Sequence, residues 1–445
     1  MAADTDTLDD LFDAHDLPGL ERWVADHPPH EVADELARAD GVRAALLFRL
    51  LDKDRALTVF EELDPPDQHK VLAELRGEAF RDVVEEMDPD DRARLLGEAP
   101  AKFARQVLAG LSPRKRSMTA ALLGYPDGSV GRYMSPETVA LRQRRTAGEA
   151  LGVVRERGAD AETVYTLPVT DDQRRFVGVV SLRDVVLSDP DRSVTELLKE
   201  DYPLVEATDQ AEDAARLMQE ANVLALPVVD SENRVLGLLT IDDAFEVIEA
   251  ADTEDIARQA AAAPWSGHYM SASVVQLARS RVVWLLLLIV AATLTVNVLQ
   301  FFEDSLTAVT ALALFIPLLT GAGGNAGSQA ATATVRALAV GEVRTRDLLR
   351  VAWRESRVGL LLGAALGAVG LMIGSVLVDV PVATTVALSL VVICSWAATV
   401  GATMPLLAKR LGIDPAVISA PLVTTLVDAT GLLIYFVIAH AVLGV

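Results

Sequence analysis

From Pro421 to Phe436 the chain reads PLVTTLVDATGLLIYF, an apolar run with one charge in it, Asp428. Roughly 20 apolar residues at helical rise match the hydrocarbon thickness of a bilayer, so the run is read as part of a membrane span. A carboxylate halfway along such a span costs about 2.5 to 3.5 kcal/mol on insertion scales, and therefore requires a wet cavity, a partner or a function. Ala420, Thr424, Asp428 and Gly431 fall at helical spacing, giving one small, polar face among Leu, Val and Ile. That face either lines a water-filled path or packs on a neighbouring helix with the acid bonded to Thr. No other apolar run supplies a basic partner at mid-depth, which favours the path.

Working outward, uncharged stretches run from Val282 to Phe302, between Asp304 and Arg336, from Val358 to Val378, from Val380 to Ala408, and after Asp414 to the end. Five spanning helices are expected. Arg279 and Arg281 precede the first, Arg344, Arg346, Arg350, Arg354 and Arg357 separate the second and third, and Lys409 and Arg410 separate the fourth and fifth. The alternate connections carry only Glu303, Asp304 and Asp379. Basic residues on every second connection place the N-terminus in the cytosol and the C-terminus outside.

The second stretch contains PLLTGAGGNAGSQAATATVR, with glycines at 321, 323, 324 and 327. They permit close backbone approach or local unwinding, which a membrane tolerates only where backbone is buried or faces water. Asn325, Gln329, Thr332 and Arg336 then share one face, and Asn325 and Gln329 join Thr425 and Ala420 as candidate pore-lining residues. One carboxylate with hydroxyls and amides, and no histidine or cysteine cluster, argues for a hard cation bound through oxygen. Magnesium gives up water reluctantly, so a pore passing the hydrated ion needs few direct ligands and a polar, negative waist. Two chains would supply two aspartates.

The rest of the 445-residue chain lives in a different solvent. Residues 1–270 hold 55 acids and 30 bases, net −25, whereas residues 271–445 hold 8 acids and 10 bases. This balance excludes a nucleic-acid binder. The single cysteine, Cys394, excludes a disulfide framework within the chain. The acidic opening MAADTDTLDDLFDAHDL lacks the basic start and apolar core of a secretory signal, so the soluble half is expected in the cytosol. LDPPD from Leu63, MDPDD from Met87 and LSPRK from Leu111 recur at 24 residues, with a fainter ADGVR at Ala39. Asp64, Asp88 and Ser112 are expected N-caps, with Pro65, Pro89 and Pro113 at the first helical position. Units of this length predict a helical solenoid.

A second repeat, offset by 59, matches Leu167, Pro168, Gly178 and Asp184 to Leu226, Pro227, Gly237 and Asp243. Each copy reads as helix, strand (VYTLPVT, LALPVVD), turn (DDQRR, SENR), strand (FVGVVSL, VLGLLTI) and a helix begun by Asp184 or Asp243. These residues resemble a tandem pair of CBS domains, which implies a regulator binding nucleotides or ions, with ATP a candidate ligand. An acidic helical stretch follows, with Glu246, Glu249, Asp252, Glu254 and Asp255. Next to an anionic membrane such a segment is repelled, and a cation that neutralised it would change its position.

The order of these parts, with FIPLLTGAGGNAGSQ, LGIDPAVISAPLVTTLVDATGLLIYF and the TEDI of the connector, closely resembles the MgtE family of magnesium channels. The resemblance implies a multidomain protein. Its parts are an N-terminal all-α helical solenoid (1–130), α/β CBS domains (131–190 and 191–245), a linking plug helix (246–270) and a five-helix transmembrane domain (271–445). It further implies a homodimer in a prokaryotic cytoplasmic membrane, with the lipid bilayer and magnesium ions as its partners, closed when cytosolic magnesium is high. By resemblance, Asp428 marks the pore ion site with Thr424 one turn earlier. The cytosolic magnesium sensors fall on Glu212, Asp243, Glu246, Glu254, Asp255 and Asp414. Two positions depart from the family pattern: Ala420 stands where an asparagine is frequent, and Asn222 stands at a CBS acid position.

Two other classes compete. A coupled secondary transporter would show inverted repeats, and five spans do not divide that way. A sensor without transport leaves Asp428 unexplained. No nucleophile triad, phosphate loop or histidine cluster argues for an enzyme.

Overall fold

Proline at the first helical position sets the rhythm of the N-terminal third, because its missing amide is one that no helix can satisfy internally. The computed structural model describes residues 2–74, 83–263, 269, 272–418 and 420–444. Helices Pro29–Arg38, Gly41–Leu50, Lys53–Glu61, Pro65–Glu74, Pro89–Glu98, Ala101–Gly110 and Pro113–Leu123 follow Ala2–Asp13 and Leu17–Asp26, with short turns wherever the intervening residues are all described. Leu20, Leu36, Leu47, Phe60 and Leu95 build their shared core. Asp40 caps its helix through the amides of Val42 and Arg43, both at 3.0 Å. The expected caps at Asp88 and Ser112 hold for position only, since neither side chain accepts a helix amide. The proline at N1 has already removed one such amide, and the Asp88 carboxylate lies among other acids. At Asp64 the backbone carbonyl accepts from Asp67 and Gln68, each at 2.9 Å.

The 59-residue repeat folds as two three-stranded sheets, β1 (Leu141–Arg142), β2 (Thr166–Thr170), β3 (Phe176–Ser181) and β4 (Val205–Glu206), β5 (Ala225–Val229), β6 (Val235–Thr240). In each, a two-residue strand pairs parallel to the central strand, which forms an antiparallel hairpin with the third. The register shifts at Val169/Thr170 and again at Val228/Val229, the same place in both copies. The turns are set by Asp171 and Asp230, whose carboxylates accept two backbone amides each at 2.8 to 2.9 Å. Arg174 and Asn233, at φ +66° and +62°, complete them. The helices after β3 and β6 begin at Leu182 and Ile241, two residues before the expected Asp184 and Asp243. Ser181 is the cap of the first and accepts the amide of Asp184 at 3.1 Å. The second runs on without a break through the acidic connector, as Ile241–Gln259.

The chain separates into two units, Met1–Ala251 with Ser266–Ala272 and Asp252–Trp265 with Ser273–Val445. The second holds helices Val274–Phe301, Glu303–Ala308, Ala311–Ala339, Leu348–Leu377, Val380–Arg410 and Ala420–Leu443. Val274–Phe301 and Leu348–Leu377 begin well before their apolar runs do, because arginine is a good helix former and an apolar run marks only the part meant for lipid. Among the described residues, Val274–Phe301, Thr345–Leu377, Val380–Arg410 and Ala420–Leu443 are long and apolar enough to cross a membrane. Ala311–Ala339 matches them in length at 29 residues, but its glycines, Asn325 and Gln329 make it more polar. It stays helical through Gly321–Gly327, so here the glycines serve close approach and not unwinding.

Helix Leu348–Leu377 buries Gly359, Gly363, Gly367, Gly370 and Gly374 along one face. A Cβ on Gly359 would stand 2.4 Å from the Cys394 carbonyl oxygen, and one on Gly363 2.5 Å from the Val391 Cα. The helix therefore rests directly on the backbone of Val380–Arg410. Replacing Gly363 with alanine should cost about 1–3 kcal/mol through overpacking. Gly321→Ala, whose Cβ meets nothing within 4 Å, should leave the melting temperature unchanged or raise it. Thermal melts of both variants in detergent check the pair.

Candidate functional site

The intramembrane site is built where the last helix crosses the glycine-rich one. A Cβ on Gly324 would lie 2.7 Å from Thr424 Cγ2, and one on Gly323 or Gly327 3.1 Å from Val427 or Val423. Only glycine leaves room for these side chains to seat against the facing backbone, and the contact sets Thr424 at the seam with Asp428 one turn further along the same helix. Asp428 is half-buried, and its Oδ1 is enclosed with no hydrogen-bond partner. The alternative of an acid tied to a neighbouring Thr is therefore not what the carboxylate does in this chain. On the same helix Thr425 donates to the Pro421 carbonyl at 2.8 Å and Thr430 to that of Leu426 at 2.9 Å. Thr430 also accepts the Trp396 indole at 3.0 Å.

The expected small face is not uniform along its length. Ala420, Thr424 and Asp428 are half-buried, whereas Gly431 is buried against Ile393. On the glycine-rich helix, Asn325, Gln329, Thr332 and Arg336 are all exposed, on the side away from Gly323, Gly327 and Ala331.

A second group sits in the same unit. Arg258 of the connector helix pairs with Glu254 one turn earlier and with Asp414 in the turn before the last helix. The other Asp414 oxygen accepts the Ala416 amide at 2.9 Å. Two of the expected sensor acids thus share one guanidinium, and Asp255 is half-buried beside Glu254 on the same helix.

The first unit holds an acid cluster that sequence reasoning caught only in part. Carboxylate oxygens of Glu61, Asp88 and Asp91 lie within 4.8 Å of one another. Burial, then Asp88 and Asp91, push Glu61 up to about 8. Burial raises Asp91 to about 6, against the pull of Arg94 and with Asp88, Asp242 and Glu62 adding to it. Asp243 rises to about 7 through burial, opposed by the Thr240 hydroxyl and reinforced by Asp242 and Asp91. Glu162 from the first CBS repeat also reaches about 7, through burial and the charges of Asp88, Asp243 and Asp242. Asp90 is 5% exposed and its Oδ1 has no hydrogen-bond partner. Burial, followed by Asp243 and Asp91, holds its carboxyl well above the usual range. Arg94 enters from one side, paired with Asp91 at 3.3 Å and with Glu246.

Oxygens 4.8 Å apart span a hard cation whose ligands stand at about 2.0–2.6 Å, so the cluster suits magnesium or calcium. Asp88 was read only as a cap, and Glu61, Asp90, Asp91 and Glu162 were missed because single acids do not stand out in so acidic a segment. The available signal was the run PDD at 89–91, where two further acids follow a position already acidic. The six expected sensor residues do not share one site. Asp243 and Glu246 border this cluster, Glu254, Asp255 and Asp414 belong to the other unit, and Glu212 pairs locally with Arg216 at 2.7 Å.

Comparison with known proteins matches these parts one by one. The model of the MgtE divalent cation transporter family fits residues 316–438, that of the MgtE intracellular N domain residues 27–128, and that of the CBS domain residues 130–190 and 194–250. The magnesium transporter MgtE of Thermus thermophilus is 43% identical over 335 residues, 74% of this chain and 73% of that protein. Its namesake in Enterococcus faecalis is 32% identical over 72% of this chain and 70% of its own. A crystal structure of the cytosolic domain of the Mg2+ channel MgtE in complex with ATP superimposes with a TM-score of 0.50 at 32% identity, covering 54% of this chain and 98% of that one. Helical N domain, CBS pair and apolar C-terminal helices thus occur here in one polypeptide, and the chain belongs to the MgtE family of membrane divalent cation transporters.

Proposed function

We propose that this protein is a homodimeric, magnesium-selective channel of the prokaryotic cytoplasmic membrane, closed when cytosolic magnesium is high. The observation that carries the reading is Asp428, an enclosed and unpartnered carboxylate at a glycine-packed helix crossing in a chain of this family. Ala311–Ala339 counts as a span in this reading, giving five, with the N-terminus in the cytosol and the C-terminus outside. Two copies bring two Asp428 side chains to one axis. A hydrated magnesium ion is drawn to that paired charge and held through its own water, with Thr424 beside it and Ala420, Thr425, Asn325 and Gln329 lining the approach.

Closure follows from the acids of the soluble half and connector. Without a divalent ion, buried like charges oppose their own packing, and Arg94 and Arg258 offset only part of that opposition. Magnesium at Glu61, Asp88, Asp91, Asp243 and Glu246, at Glu212, and at Glu254, Asp255 and Asp414 favours the compact arrangement, in which the connector helix acts as the plug. A ligand shifts such an equilibrium only by its differential affinity, so several weak sites present only in the compact state give a sharp response. The related cytosolic domain crystallised with ATP makes the CBS pair a candidate nucleotide site as well.

Three outcomes are expected. Asp428→Ala should lower magnesium uptake into proteoliposomes at least about tenfold, as loss of an electrostatic site does, while light scattering still reports a dimer; wild-type uptake would remove the pore assignment. Glu254→Gln with Asp255→Asn should shift the magnesium concentration that closes the channel upward in patch recordings, and an unchanged midpoint would remove the connector from the sensor. The third outcome concerns pH. Glu61, Glu162, Asp91 and Asp243 have pKa values raised on folding, so their contribution is fully present below about pH 4 and lost as pH rises towards 8. Without divalent ions the soluble half should therefore become more sensitive to proteolysis between pH 5 and 8. Protection by magnesium should grow over the same window, because the ion binds the ionised form.

A further inference from the structure

The structure carries a cationic surface that ion conduction does not use. Helix Leu348–Leu377 is packed on one side only, through Gly359 and Gly363 against the backbone of Val380–Arg410 and through Ser356, whose hydroxyl lies 3.3 Å from that of Ser395. At 100° per residue, Arg350, Arg354, Arg357 and Leu361 fall within about 60° of one another, and Gly359 lies on the opposite side. All three arginines are exposed, as are Trp353 at 65% and Leu361 at 72%. The Arg357 guanidinium stands 5.6 Å from the Trp353 ring centroid, and its Nε donates to the Trp353 carbonyl at 3.4 Å.

Two acids flank the stripe without neutralising it. Asp347 pairs with Arg350 at 3.3 Å and also accepts the Arg344 amide, while half-buried Glu355 lies beside Arg354. The turn Thr345–Asp347 packs against the helix that ends in Lys409 and Arg410, so five further formal charges add to the same end of the membrane unit: Arg344, Arg346, Lys409 and Arg410 positive, Glu342 negative.

We propose that this face binds the headgroup of an anionic phospholipid. Charge complementarity selects the sign of the ligand, since each arginine near a membrane surface attracts acidic lipid by about 1 kcal/mol. The vertical order selects lipid over a soluble anion. Three guanidinium groups occupy about 10 Å of helix axis, an indole sits at the same level, and exposed Leu360 and Leu361 follow directly below. A phosphodiester bridged by Arg354 and Arg357 places its acyl chains along those leucines. Trp353 is the kind of residue that settles at the headgroup level. An acidic protein surface would satisfy the arginines but not the leucines beneath them.

The test is native mass spectrometry of the full chain in detergent, titrated with dioleoylphosphatidylglycerol or dioleoylphosphatidylcholine. Phosphatidylglycerol should bind roughly tenfold more tightly. The triple change Arg350→Gln, Arg354→Gln, Arg357→Gln should bring the two lipids level, whereas Arg279→Gln with Arg281→Gln, on another helix, should keep the preference. Replacing the same three arginines with lysine should keep most of it, which separates loss of charge from loss of fold. Equal binding of the two lipids by the wild type, or a preference surviving the glutamine changes, overturns the proposal. So does displacement of the lipid by millimolar inorganic phosphate, which would assign the site to a free anion. A change of oligomer mass in the glutamine variant would assign the face to a second copy and overturn it too. None of these readouts depends on ion transport.

Discussion

A carboxylate deep among apolar helices has to be answered by something, and the organisation of the membrane unit follows from how Asp428 is answered. Among the described residues no cation pairs with it, and Thr425 and Thr430 of the same helix turn their hydroxyls to their own backbone. What the chain does supply is proximity. Gly323, Gly324 and Gly327 seat a second helix directly on the Val423, Thr424 and Val427 side chains of the last one, so the acid lies beside a tight seam, with exposed Asn325 and Gln329 on the far side of the glycine-rich helix. The proposed pore rests on this: a charge left unanswered internally is open to one from outside.

The same logic recurs outside the membrane with a different geometry. Asp90, Asp91 and Asp243 are crowded against Glu61, Asp88 and Glu162, and their carboxyls hold their protons more tightly than free acids do. Arg94 and Arg258 each touch two acids from different segments of their own unit. These guanidinium groups hold in place, at unit charge, acids that a divalent ion would hold at double charge. In the proposed gating, the response to magnesium is a competition between fixed monovalent and mobile divalent counter-ions.

Much of this was legible in the residues themselves. The 24-residue and 59-residue repeats gave the solenoid and the paired sheets because each copy repeats its turn chemistry, down to Asp171 and Asp230 bonding the same two amides. Strands β1 and β4 were not visible, since two residues carry no alternation. The helix starts at Leu182 and Ile241 were read two residues late because Asp184 and Asp243 are better-known starters than the Ser181 that caps the first. Asp428, Thr424, Asn325 and Gln329 stood out through polarity in an apolar setting. Glu61, Asp88 and Asp91 did not, because acids are ordinary in a segment of net charge −25, and only the fold brings three of them within 4.8 Å.

Helices Leu348–Leu377 and Val380–Arg410 meet backbone to backbone at Gly359, Gly363 and Gly367, with no layer of side chains there to act as a bearing. Sliding one past the other would drive Cα hydrogens into carbonyls at those three positions. The two therefore behave as a single stiff plate, which in the proposed gating serves as the stator. The rotor has to be sought among more loosely seated parts, of which Val274–Phe301, without one buried residue along its 28, is the clearest.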